Sequence, residues 1–148
     1  MPELPPLMRD QRKIDDDHLR LLSIFHFISA GLALLGIMFI IAHYYFLSSF
    51  IANPKIWADE KAGAAPVEFF NLFVWFYAVF GLWIAAGGIA NLISGIGMLK
   101  RKWRTFSLVV AGLNSLHIPL GTILGVFTFI VLFRESVREM YEQSRLQV

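Results

Sequence analysis

Three stretches of the chain contain no Asp, Glu, Lys or Arg: Leu21 to Pro54, Phe69 to Leu99 and Thr105 to Phe133. Each exceeds the roughly 20 apolar residues that cross a hydrocarbon core. The first, LLSIFHFISAGLALLGIMFIIAHYYFL, holds no proline and predicts one continuous helix over about 21–47. The second predicts a helix over about 68–99. At about 1.5 Å per residue it is longer than a core of roughly 30 Å, so it tilts or protrudes. The third contains LNSLHIPLGTILGV, from Leu113 to Val126. It reads either as two short helices joined at His117-Ile118-Pro119, with Pro119 opening the second, or as one kinked or re-entrant helix.

The charged positions discriminate between these layouts. With four spans and the N-terminus inside, Arg9, Arg12, Lys13, Arg20, Lys100, Arg101, Lys102, Arg104, Arg134, Arg138 and Arg145 share one side, and only Lys55 and Lys61 lie on the other. With three spans the last three arginines change sides and the asymmetry fades. The positive-inside rule favours four spans. The expectation is therefore an all-α polytopic membrane protein, a compact four-helix transmembrane bundle. Its spans would cover about 21–47, 68–99, 103–118 and 119–137, with very tight connections between helices two and three and between three and four. Residues 1–20 form a partly helical cytoplasmic lead-in, 21–137 the transmembrane domain and 138–148 a cytoplasmic tail. The loop from Ser48 to Pro66, with Asn53-Pro54 and Trp57, has room for a short surface helix.

Composition supports a membrane setting. The chain is 57% hydrophobic and 16% charged, with a mean hydropathy of +0.61; soluble domains carry about 25% charged residues. The first apolar run starts late and is too long for a signal peptide. There is no cysteine, which excludes disulfides, a thiolate nucleophile and Cys-ligated metals. A formal charge of +2, carried by residues flanking the spans, is a topology signal and not a nucleic-acid footprint.

Packing accounts for most of the small residues. Gly81, Ala85, Gly88 and Gly95 lie on roughly one face of the second helix, and Gly121 and Gly125 on one face of the last; such stripes let helices approach closely in lipid. Asn91 and Asn114 need hydrogen-bond partners in hydrocarbon, and His26 falls at a depth similar to Asn91. His43, Glu68, Asn114 and His117 fall together near the outer end. His43, Glu68 and His117 are chemically able to hold a divalent ion, but no short ligand spacing marks a site, so neither metal nor cofactor is assigned. Interfacial hydrogen bonding is the plainer reading of these histidines. No HExxH, nucleophile elbow or dinucleotide loop occurs, and no enzymatic activity is expected. Lys100, Arg101, Lys102 and Arg104, with Arg134 and Arg138, are placed to contact anionic lipid head groups.

The run IPLGTILGVFTFIVLFRESVREMY, preceded by the basic turn KRKWR and with the early His26, resembles a pattern in small bacterial four-helix inner-membrane proteins with no assigned activity. The resemblance spans roughly Gly95 to Tyr141. It implies a bacterial inner (plasma) membrane location with both termini cytoplasmic, and it carries over no catalytic residue. Membrane lipids are the expected partners, with a homo-oligomer or another membrane protein. The leading function is a scaffold or assembly role through such association. The alternatives are an oligomeric channel or transporter for an ion or small solute, and a metal-binding sensor.

Overall fold

A computed structural model describes residues 6–58 and 67–146. The described residues form six α-helices and no strand: α1 (Pro6–Ile51), α2 (Pro54–Trp57), α3 (Val67–Leu99), α4 (Arg104–Ser115), α5 (Leu120–Leu132) and α6 (Glu135–Leu146). The proline-rich start, and the part of the loop that holds Lys61 and Pro66, lie outside them.

The expected four-helix transmembrane bundle is not what forms. Among the described residues only α1 and α3 are by themselves long and apolar enough to cross a membrane, and a third crossing exists only if the bent pair α5 and α6 counts as one. The third charge-free window breaks into α4, of 12 residues, and α5, of 13. At about 1.5 Å per residue these are roughly 18 and 20 Å long, well short of a hydrocarbon core of about 30 Å. Neither expected span, 103–118 or 119–137, is matched by a single helix of membrane length. The second also stops at Phe133, where the chain bends by 72° into α6.

Local chemistry explains the breaks. α3 ends in a Schellman turn, in which Lys102 N–H donates to Gly97 O at 2.8 Å and Arg101 N–H to Met98 O at 3.2 Å. Arg101 takes the left-handed position, with φ 50°, and Trp103 follows at φ 55°, each at a cost glycine would have spared. The α4–α5 break spans Leu116 to Pro119. His117 N–H donates to Asn114 O at 2.8 Å, Thr122 Oγ1 to Ser115 O at 2.9 Å, and the His117 ring bonds Leu113 O through Nδ1 at 3.2 Å. The polar groups of this tip thus turn back onto the carbonyls that the break frees. Its apolar side chains point outward: Leu116, Ile118 and Leu120 are 72–85% exposed.

The chain divides into two units. Unit one combines Met1–Ala30 with Ile89–Val148, and unit two is Gly31–Gly88. In unit one each long element buries one helical stripe: Asp15, Leu19, Leu22, Ser23 and His26 on α1; Asn91, Ser94, Gly95 and Met98 on α3; Ser107, Val110, Ala111 and Asn114 on α4; Leu124, Gly125, Thr128, Val131 and Leu132 on α5. α6 adds Val137, Met140 and Tyr141. The apolar core joins Leu19, Leu22, Met98, Leu132, Val137 and Met140. Its interior is rich in polar residues while large apolar side chains face outward, the reverse of a water-soluble fold and the arrangement expected in lipid.

Unit two is an antiparallel pair formed by the later part of α1 and the earlier part of α3. Gly36 faces Ile84, His43 meets Tyr77, and Tyr44 stacks on Phe70 with ring centroids 5.9 Å apart. None of its described residues is buried. Asn53 caps α2 by accepting from Lys55 N–H, and the Trp57 indole donates to Ile51 O.

Candidate functional site

Unit one holds every buried polar residue among those described, in two layers. The deeper layer is uncharged. Asn91 and Asn114 form a reciprocal amide pair, with Asn91 Nδ2 donating to Asn114 Oδ1 at 3.1 Å and Asn114 Nδ2 to Asn91 Oδ1 at 2.8 Å. Asn91 lies about 12 Å before the end of α3 and Asn114 about 15 Å past the start of α4, so a tight turn brings them level. His26 Nε2 lies 3.3 Å from Thr128 Oγ1, which itself donates to Leu124 O at 2.7 Å. The Asn91 side chain also interacts with the His26 ring, whose Nδ1 has no partner within full hydrogen-bond distance. Ser23 Oγ donates to Gly95 O at 2.7 Å.

The second layer is charged. Asp15 is fully buried and accepts from Arg134 at 2.8 Å, from Gln11 at 3.2 Å and from the Ser136 hydroxyl. Burial by itself opposes ionisation of Asp15. The hydrogen bonds from Ser136 and Arg134, with the charge of Arg134, outweigh it and hold the carboxyl below its ordinary value. Arg134 also donates to His18 Nδ1 at 3.2 Å. Arg101 pairs with Asp16, and Arg12 reaches Glu139 and Gln143. Arg104 donates through Nε and Nη2 to Leu132 O, at 2.9 and 2.6 Å, and its guanidinium lies 5.8 Å from the Phe133 ring. A cation on the last carbonyls of α5 satisfies them and complements the helix dipole.

Beside this layer, a cleft of about 540 Å³ opens between the α3–α4 turn and α6. Arg101, Lys102, Arg104, Arg138, Tyr141 and Arg145 line it, with Glu142 as the one acid. Burial pushes the Tyr141 phenol up to about 12 despite the charges of Arg104 and Arg101, so it stays a neutral donor, and its hydroxyl has no partner.

The structure redistributes the residues singled out by sequence. Gly95, Gly121 and Gly125 are packing glycines within unit one: a Cβ at Gly95 would meet the Phe27 ring at 2.7 Å, at Gly121 it would run into Asn114 O and His117 Cβ, and at Gly125 into Ala111 O and Ser115 Oγ. Gly81 is different, because a Cβ there meets nothing within 4 Å; with Ala85 and Gly88 it belongs to unit two. The outer group of four does not act together: Asn114 is spent on Asn91, His117 on Leu113 O and His43 on Tyr77, at 2.5 Å, while Glu68 stands in the first turn of α3. Among the described residues no three His, Asp or Glu side chains gather as metal ligands. Of the six cations assigned to head groups, Arg101, Lys102, Arg104 and Arg138 line the cleft, Arg134 turns to Asp15, and Lys100 does not line it.

Sequence reasoning missed Ser136 and Tyr141; it places Thr128 only on the packing stripe with Gly121 and Gly125, and reads Asp15, with Asp16 and Asp17, only as a helix first-turn residue. The burial of Asp15 was legible only in the i, i+4, i+7, i+11 spacing that it shares with Leu19, Leu22 and His26. The resemblance to four-helix membrane proteins fails on the helix count and on the presence of only two membrane-length helices. No family model, no curated protein and no solved structure matches this chain.

Proposed function

We propose that this chain is a non-catalytic membrane protein that acts by self-association within the bilayer through unit two. The observation that carries this is that unit two has no buried residue among those described. Trp75, Val79 and Leu82 form one face of α3 that is 67–73% exposed, turned away from the seam on which Tyr77 meets His43 and Ile84 meets Gly36. A second copy can cover such a face by the side-chain packing that drives helix association in lipid. In the accompanying topology, α1 and α3 cross the membrane, while α4 and α5 enter from and return to the basic side, in a bacterial inner membrane with both termini cytoplasmic.

The test is the size of the purified protein in lipid nanodiscs or mild detergent. The expected result is a discrete oligomer, with the double variant Val79→Ala/Leu82→Ala weakening association about tenfold or more and leaving helix content unchanged. A strictly monomeric protein, or an oligomer indifferent to the double variant, contradicts the proposal. An oligomeric channel or transporter is the second reading. It is favoured by the uncharged polar layer around His26, Asn91 and Asn114 beside a helix that ends partway, because broken helices line cavities in transporters. Solute flux in proteoliposomes made from the same sample separates the two.

A further inference from the structure

We propose that the cleft between the α3–α4 turn and α6 binds the phosphate of an anionic phospholipid headgroup. Its lining carries five cations and one acid, Glu142, and that acid is neutralised by Arg138 at 3.2 Å. Arg104 and Arg101 are held in place by Leu132 O and Asp16. Lys102 and Arg145 are the cations left over. Both line the cleft, both are exposed, and neither side chain has a hydrogen bond or ion pair among the described residues.

Two further features point to an anion. The Tyr141 hydroxyl is buried, with the residue 4% exposed, and lacks a partner although the residue lines the cleft. A buried hydroxyl without a partner costs free energy, which an acceptor oxygen from a ligand would recover. α4 also begins at the cleft with no side-chain cap and no acid in its first turn, so its first N–H groups and the positive end of its dipole remain available to an anion. Phosphate, with several acceptor oxygens and at least one full negative charge, matches this donor set.

The lipid source follows from position. Trp103, 61% exposed, lines the cleft next to the apolar end of α3, and exposed tryptophans favour the headgroup level. The proposal rests on the membrane reading of α1 and α3, but its test is run in neutral detergent and does not depend on insertion. A failure there overturns the cleft and leaves the membrane reading standing.

Full-length protein is titrated with short-chain phosphatidic acid, short-chain phosphatidylcholine and inorganic phosphate, and binding is followed by native mass spectrometry. Phosphatidic acid is expected to bind about tenfold or more tightly than phosphatidylcholine. The double variant Lys102→Ala/Arg145→Ala is expected to lose about tenfold in phosphatidic acid binding, and Tyr141→Phe about threefold. Equal binding of the two lipids, or an unchanged affinity in the double variant, overturns the proposal. Inorganic phosphate binding as tightly as phosphatidic acid overturns the lipid assignment and makes the cleft a site for free phosphate. Because Lys102 and Arg145 hold nothing in the fold, the double variant should keep wild-type helix content and melting.

Discussion

Asp15 shows how a single residue fixes one end of unit one. A carboxylate with no exposed surface survives only because Arg134, Ser136 and Gln11 supply donors. The two halves of the Asp15–Arg134 pair are not equivalent. Arg134 is 35% exposed and can turn to water, whereas Asp15 cannot. Arg134→Ala should therefore destabilise by about 3 kcal/mol, and Asp15→Asn by roughly half of that, read from denaturation in detergent. The folded-state pKa of Asp15 is depressed, so its contribution is complete above the ordinary value. It is lost as pH falls below 3.8 through the lowered value. Melting temperature should thus be flat near neutrality and fall in acid, with a shallower acid limb in Asp15→Asn. An unchanged acid limb in that variant would show that Asp15 does not carry this dependence. In the sequence Asp15, Asp16 and Asp17 are three equivalent carboxylates in a row. Their different fates became visible only when α1 was seen to begin at Pro6 and the partner residues came from 119 and 121 positions away.

At the scale of elements, charge-free windows located α1 and α3 well, because a long apolar run in a membrane has few alternatives to helix. The third window was misread for a definite reason. The basic residues at 100–104 and 134–145 fall on one side whether the chain between them crosses twice or dips in and returns, so charge asymmetry cannot separate the two. Length can, and neither α4 nor α5 is long enough to cross. Glycines hold this hairpin closed. A methyl at Gly125 collides with Ala111 O and at Gly95 with the rotatable edge of Phe27, while at Gly81 it meets open space. Gly125→Ala is expected to cost about 2 kcal/mol or more, Gly95→Ala less, and Gly81→Ala almost nothing in monomer stability. Equal effects at Gly125 and Gly81 would show that the hairpin is not packed as described.

For the whole molecule, sequence indicated an all-helical membrane-associated chain, and the structure agrees: all-α, with two helices of membrane length and apolar side chains outward. The candidate site was legible only in its parts. Asn91, Asn114 and His26 each announced a need for a partner, but which residues would meet depended on where the third window turned. Placing that turn at an outer surface separated Asn114 from Asn91, while a short hairpin brings them level. Likewise, the basic turn was visible as charge but not as a cleft, because α6 and Tyr141 close it only after the bend at Phe133.

In the proposed topology α4 and α5 form a hairpin that enters and leaves the membrane on the basic side. Because the chain has no cysteine, single cysteines can report this directly with a membrane-impermeant thiol reagent on intact cells and on inverted vesicles. Lys55→Cys should react from the outside, and Lys102→Cys and Arg145→Cys from the inside. Ile118→Cys, at the apolar tip, should react from neither side until detergent is added. Labelling of Ile118→Cys from the same side as Lys55→Cys would contradict the hairpin and restore two full crossings.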